Sequence, residues 1–279
     1  MSRRRLLILL AICNCAIADE ISWLHTDLPP ANISSVDSQA GGYVDVVEAL
    51  IRGDMPNLVH KTELVPPARM NMLMKAGGPY CALTVSDDGK GADYMRYTSP
   101  LGWIRNGGLI VHAGFLQQIS KLINKLGYLD LLQFAKEYKL RIGVVRGRSY
   151  GTDIDRSLQM IASFNQPEMA GSFEVLMRML NAGRVDVVLG YEEELTYFKT
   201  FDNHVFIPVT PASLLLPVVI ACSKAASANE AFKAVSSAQR NAKLSTAFQQ
   251  EYERWLNPAY LTEYRRSVLE LAAHRQKAP

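Results

Sequence analysis

The sequence predicts an α/β fold in two halves, and three observations carry that prediction. From Glu20 to Leu189, short apolar segments of extended character alternate with segments of helical period, the pattern of layered helices on a largely parallel sheet. The same theme begins a second time at Gly108. Residues 205–223 are then uncharged for 19 positions, yet hold Pro208, Pro211 and Pro217. Each proline would disrupt a helix interior, so this run reads as two strands joined by a turn and not as a membrane span.

The elements follow in order. Glu20 to His25 is a strand that breaks at Pro29-Pro30. After Gly41-Gly42, Tyr43, Val46, Val47, Leu50 and Ile51 fall on one helical face. His60 to Val65 is a strand, and Pro66-Pro67 stands where a helix start tolerates proline. Met70, Leu73 and Met74 line that helix, Gly77-Gly78 ends it, and Tyr80 to Val85 is the next strand. The second half opens with the extended run Gly108 to His112, then a helical region over 115–138 interrupted near Gly127. Leu140 to Val145 is a strand and Gly147 to Gly151 a tight loop. A helix follows with Ile154, Leu158 and Ile161 on one face. Phe173, Leu176, Met177 and Leu180 mark a further helix before the strand Val185 to Leu189. Residues 229–273 are helical in composition, with a break near Trp255 and Pro258.

Composition excludes several classes. In 279 residues, 48% are apolar and 20% charged, which gives enough apolar surface for a sizeable core and argues against disorder. Arg3 to Arg5, the apolar run Leu6 to Ile12 and Ala16-Ile17-Ala18 form the three parts of a secretory signal peptide over residues 1–18. Without those arginines the chain holds 27 basic and 27 acidic residues, so a nucleic-acid partner lacks its electrostatic footprint. Export to the periplasm permits Cys81 and Cys222 to pair, the alternative being two buried thiols. Five scattered histidines show no metal-ligand spacing, and no phosphate-binding or dinucleotide loop is present, so no cofactor is expected.

Three strings then come into view in a telling order. They are Arg96-Tyr97-Thr98-Ser99-Pro100 before the first crossing, Ile142-Gly143-Val144-Val145-Arg146-Gly147-Arg148-Ser149-Tyr150-Gly151, and Gly183-Arg184-Val185-Asp186-Val187-Val188. With them the chain resembles the type II periplasmic solute-binding proteins of solute-binding protein family 3. The resemblance implies two α/β lobes on a two-stranded hinge, with a small-molecule solute held in the cleft between them. It assigns residues 19–106 and 211–279 to lobe one and 107–210 to lobe two. It also implies a monomer that serves an inner-membrane permease or sensor and has no catalytic activity. Cys81 and Cys222 both fall in lobe one, where a bond would not lock the hinge.

Physical chemistry and resemblance meet at Ser149, Tyr150 and Gly151, where a strand ends and a helix begins. Backbone N–H groups at such a place welcome an anion, and the family holds its ligand's carboxylate there, so an anionic or polar solute is expected. Two departures stand out. The family's carboxylate-clamping arginine, a short way before the aromatic of the first string, is replaced by Gly91 with Lys90 beside it. The aspartate that takes the α-ammonium is replaced by Tyr191, followed by Glu192, Glu193 and Glu194. The ligand-binding candidates are therefore Trp23, Arg69, Lys90, Arg96, Arg148, Ser149, Tyr150 and Tyr191. Trp23 would stack on a ligand from the end of the first strand. Arg96 and Arg148 would supply bidentate anion contacts.

Two rival readings remain. A two-lobed module that has lost its solute would bind a partner protein instead. Gly147-Arg148-Ser149-Tyr150-Gly151 is also a literal G-x-S-x-G between strand and helix, and Ser149, Asp186 and His204 fall in the order of a hydrolase triad.

Overall fold

The computed structural model describes residues 20–33, 41–85, 93–210 and 213–277. The expected signal peptide and Lys90 lie outside the described residues. Strand β1 (Glu20–His25) leads to helix α1 (Tyr43–Gly53), β2 (Val59–Leu64), α2 (Pro67–Ala76) and β3 (Tyr80–Val85). β1 lies parallel to β2 on one side and to β3 on the other. Covered on both faces, it is buried almost throughout and shows no alternation. α1 turns Tyr43, Val44, Val47 and Ile51 inward, close to the face its periodicity predicts. Short strands β4 (Met95–Tyr97) and β5 (Gly102–Arg105) complete the outbound half of the first lobe.

The chain crosses at Asn106-Gly107 into β6 (Gly108–His112). The helical region expected over 115–138 is broken more thoroughly than its single glycine suggests. Only α3 (Leu116–Ile119) and α4 (Leu131–Tyr138) are α-helical, with a two-residue strand β7 (Leu129–Asp130) between them. The Asp130 carboxylate accepts from the Gln133 N–H at 2.7 Å and starts α4 afresh. Next come β8 (Ile142–Val145), α5 (Thr152–Ala162), β9 (Glu168–Ala170), α6 (Phe173–Asn181), β10 (Val187–Gly190), α7 (Glu192–Tyr197) and β11 (His204–Thr210). The second sheet runs β7-β11-β6-β10-β8-β9. β8, β9 and β10 are mutually parallel, and β6 is antiparallel to β10 and β11.

The return strand β12 (Leu215–Ser223) enters the first sheet, whose order is β2-β1-β3-β12-β4 with β5 also on β12. The uncharged run is thus β11 and β12, and all nine residues of β12 are buried. Among the described residues, no helix is long and apolar enough to cross a membrane. Helices α8 (Asn229–Ala238), α9 (Ala242–Glu253) and α10 (Pro258–Lys277) finish the chain on lobe one. α9 packs Phe248 and Tyr252 edge-on against Tyr43 of α1, at centroid distances of 5.7 and 5.2 Å. Two antiparallel ladders, β5 on β12 and β6 on β11, therefore carry the chain between the lobes.

Cys81 and Cys222 face each other in the β3–β12 register and are bonded, which decides between the two alternatives. The bond joins the outbound and returning parts of lobe one across 141 positions of sequence. Closing so long a loop removes unfolded-state entropy worth about 4–5 kcal/mol in the chain-entropy picture. Replacing both cysteines with alanine, or reducing the wild type, should lower the melting temperature by about 10 °C. Calorimetry under oxidising and reducing conditions checks this; equal transitions would show that the bond contributes nothing.

Candidate functional site

The loops that face each other across the lobes all follow the carboxyl ends of parallel strands. This is where an open α/β sheet leaves backbone groups and side chains free for a ligand. The loop after β1 is pinned to the start of α1. The Asp45 carboxylate accepts from Asn32 Nδ2 at 2.7 Å and from the N–H groups of Ile33 and Gly42 at 2.8 Å each. The Pro30 and Ala31 carbonyls accept from the first N–H groups of α1. A Cβ at Gly42 would lie 2.1 Å from the Ala31 oxygen, so only glycine permits this approach. Lobe two answers with the loop after β8, and there Gly147 has φ +76°. Its carbonyl accepts from Asn71 of α2 at 3.3 Å, and a Cβ on it would strike the Ala68 backbone at 2.8 Å. The lobes are closed on each other.

Closure leaves a cavity of about 160 Å³, small beside the roughly 300–1,000 Å³ of drug-sized sites. Lobe one lines it with Thr26, Asn32, Asn71 and Thr84 among apolar side chains, including Tyr43, Met70 and Ile104. Lobe two adds Gly147, Arg148, Ser149, Tyr191 and Glu193.

Several expected contacts are not there. Trp23 is 0% exposed in the middle of β1 and donates from Nε1 to His60 Nδ1 at 3.0 Å. It belongs to the lobe-one core, because β1 is covered on both faces. Arg69 is exposed, while Pro67, Met70 and Asn71 form the face of α2 that lines the cavity. Arg96 lies over Phe232 at 4.7 Å and donates to the Ser223 carbonyl at 3.2 Å, away from the cleft. Tyr150 is buried, accepts from the Val145 N–H at 2.9 Å and stacks on Tyr191 at 6.2 Å. It supports Tyr191, which does line the cavity.

The expected anion receptors are filled from within the protein. Arg148 donates to Glu194 at 2.7 Å and lies 4.7 Å from the centre of the Tyr191 ring and 5.3 Å from that of Tyr150. Asp155 takes the Ser149 hydroxyl at 2.5 Å and the Tyr150 N–H at 2.9 Å, and Ser149 Oγ accepts the Gly151 N–H at 3.3 Å. The helix start that should welcome an anion already holds one of its own carboxylates.

From the sequence, Glu192 to Glu194 near the cleft could receive a cation, although such a charge run usually faces solvent. Here all three are buried, with exposures of 4, 2 and 2%. Glu192 pairs with Arg105 of β5, across the lobes. Glu194 holds Arg148 and accepts the Tyr191 N–H at 2.9 Å. Glu193 points into the cavity and, among the described residues, gains one side-chain donor, the Tyr252 hydroxyl at 3.4 Å. Burial pushes its carboxyl up to about 8, with Glu194 and Glu192 adding to the rise against its own backbone N–H and Arg148.

The hydrolase triad is not assembled. Ser149 follows the carboxyl end of β8, whereas Asp186 precedes the amino end of the parallel strand β10 and pairs with Arg141 at 2.6 Å. His204 starts β11 at that same far end and lies 3.2 Å from the Phe201 carbonyl through Nδ1. A four-residue strand puts roughly 10 Å or more between Ser149 and the other two.

Because the Glu193 carboxyl is raised in the folded state, its stability contribution is full below the unfolded value. That contribution declines as pH climbs to about 8. Glu193→Gln removes the titration, so the variant should gain on the wild type between pH 5 and pH 8.5, by at most about 4 kcal/mol. Denaturant unfolding at both pH values measures the gain, and parallel pH profiles would show that Glu193 is not held neutral.

No protein-family model matches the chain, and no curated protein matches it in sequence. Solved structures do match it. An amino acid ABC transporter substrate-binding protein from Streptococcus pneumoniae, bound to L-arginine, is 12% identical at a TM-score of 0.62, covering 85% of this chain and 93% of its own. The GluR0 ligand-binding core complexed with L-glutamate is 14% identical at 0.61, covering 87% and 100%. A Salmonella typhimurium periplasmic binding protein described for high arginine specificity is 14% identical at 0.61, covering 86% and 100%. Identities this low establish architecture: the chain has the type II periplasmic-binding-protein fold, two α/β lobes joined by a two-stranded hinge.

Proposed function

We propose that this protein is an exported solute-binding protein that captures one small polar molecule between its lobes and delivers it to an inner-membrane permease. Lobe one comprises residues 19–106 and 211–279, and lobe two residues 107–210. The observation that carries the reading is the cavity between the lobes, to which both contribute polar side chains at the carboxyl ends of their strands. Its binding groups are Thr26, Asn32, Asn71 and Thr84 from one side, with Tyr191 and Glu193 from the other. The solved relatives named above, which hold single amino acids, support a solute of about that size. Residues 1–18 direct export, and binding closes the hinge without catalysis.

Native mass spectrometry of the protein purified from its exported fraction tests the reading. A discrete excess mass lost on denaturation is expected. A clean apo mass, with no small molecule shifting the melting temperature, would move the partner-binding reading ahead. Closure has its own test at Gly147. Gly147→Ala sets a Cβ against the Ala68 backbone, so it should weaken solute binding at least tenfold and raise the radius of gyration in solution scattering. Unchanged affinity would show that the lobes do not meet at this point when solute is held.

A further inference from the structure

Charge bookkeeping inside the closed cleft narrows the solute class, an inference that rests on solute capture as proposed above. Among the described residues that line the cavity, the charged groups are Arg148 and Glu193. Arg148 is balanced by Glu194 and covered by two tyrosine rings. The Ser149 hydroxyl and the Tyr150 and Gly151 amides are taken by Asp155 and Ser149. These donors are withdrawn from a ligand carboxylate. Glu193 is the reverse case: a carboxyl 2% exposed, facing the cavity, whose only side-chain donor among the described residues is the Tyr252 hydroxyl at 3.4 Å. Around it stand apolar and aromatic walls, including Tyr43, Tyr191, Leu28 and Val218.

We propose that the solute is a small organic ammonium ion without a carboxylate, its nitrogen paired with Glu193 and its body laid against the tyrosine and aliphatic wall. A buried charge is tolerated when it is paired and hydrogen-bonded, and an ammonium group supplies both the charge and the donors that Glu193 lacks. An α-amino acid would set its carboxylate in a cavity whose charged side chains, among the described residues, are Glu193 and an Arg148 already paired with Glu194.

The groups facing Glu193 fix the pH dependence. They are Tyr43 from α1, Arg148 from the loop after β8, and Tyr191, Glu192 and Glu194 beside it. Tyr252 from α9 and Tyr264 from α10 complete the set. The tyrosines are all raised by burial and stay neutral. In the closed, empty cleft Glu193 carries a proton at neutral pH. An ammonium ion taken up by that closed state therefore releases one proton to solvent, and its affinity for that state rises about tenfold per pH unit below 8 and levels off above it.

Titration calorimetry of the full exported chain with two matched sets tests the proposal. The first is 3-methylbutylamine, leucine and 4-methylpentanoate; the second is 2-phenylethylamine, phenylalanine and 3-phenylpropanoate. The expected result is that an amine binds at least tenfold more tightly than its amino acid, with about one proton released at pH 7. Its affinity should fall at least tenfold in Glu193→Gln, a variant that still unfolds in one cooperative thermal transition. Tighter binding of an amino acid or a carboxylate, or an affinity that falls as pH rises, would overturn the ammonium assignment and leave solute capture standing. If no probe binds but a molecule co-purifies, its charge decides: a carboxylate-free cation supports the assignment and any other species overturns it. If nothing binds and nothing co-purifies, solute capture fails and this inference with it.

Discussion

The structure depends on one constraint, the pair of antiparallel ladders that carries the chain between lobes. β5 pairs β12 from Arg105 opposite Leu215 to Gly102 opposite Val218. β6 pairs β11 from Gly108 opposite Pro208 to His112 opposite His204. The same two stretches of chain are thus zipped on both sides of the crossing, and Asn106 ties the junction by donating from Nδ2 to the Ser213 carbonyl at 2.8 Å. Both sheets must then present the carboxyl ends of their parallel strands to the shared gap. The cavity is a consequence of that topology before any side chain is chosen. The Cys81–Cys222 bond reinforces the same strand, since β12 belongs to lobe one only by returning to β3.

Much of the fold was legible because it is written in local chemistry. Proline in the uncharged run argued for two strands, and β11 and β12 are those strands. The loop 147–151 between β8 and α5 announced itself through its two glycines, and both adopt positive φ. What stayed hidden depends on partners far away in sequence. Three adjacent glutamates read either as a cation receptor or as a solvated face, yet Glu192 is neutralised by Arg105, 87 positions back, and Glu194 by Arg148, 46 positions back. No local pattern reveals such pairs. Trp23 misled for a related reason: a strand covered on both faces shows no alternation that would separate core from cleft. α2 has three methionines and little amphipathic contrast, so Arg69 could not be distinguished from the cavity face formed by Pro67, Met70 and Asn71.

The loop 147–151 shows how a motif can be read correctly in place and wrongly in charge. A strand-to-helix turn with Gly, Arg and Ser offers anion-binding donors. Asp155, on the first turn of α5, satisfies the Ser149 hydroxyl and the Tyr150 amide from inside the chain. An acidic residue near a helix start is favourable in its own right, so this arrangement stabilises the loop and withdraws it from ligand chemistry together. Rigidity is what the loop contributes instead. Gly147 rests against Ala68 of the opposite lobe, and Arg148, sandwiched beside Tyr150 and Tyr191, holds the wall of the cavity.

Closure itself is where these features combine. Glu193 belongs to lobe two, but the hydroxyl beside it comes from Tyr252 of lobe one, and Tyr43 of the same lobe also faces it. Opening the hinge would return that carboxyl to water, where it ionises in the ordinary range. Closing an empty cleft must therefore either bury a charge or take up a proton, and both disfavour the closed state as pH rises. A ligand can shift this equilibrium only by binding the closed state better than the open one. A solute that satisfies Glu193 removes the cost of closure at the same stroke as it adds contacts to Thr26, Asn32 and Thr84. On the proposed reading the buried carboxyl would act as a gate on closure, since the group that makes the empty closed state unfavourable is the one the proposed solute satisfies.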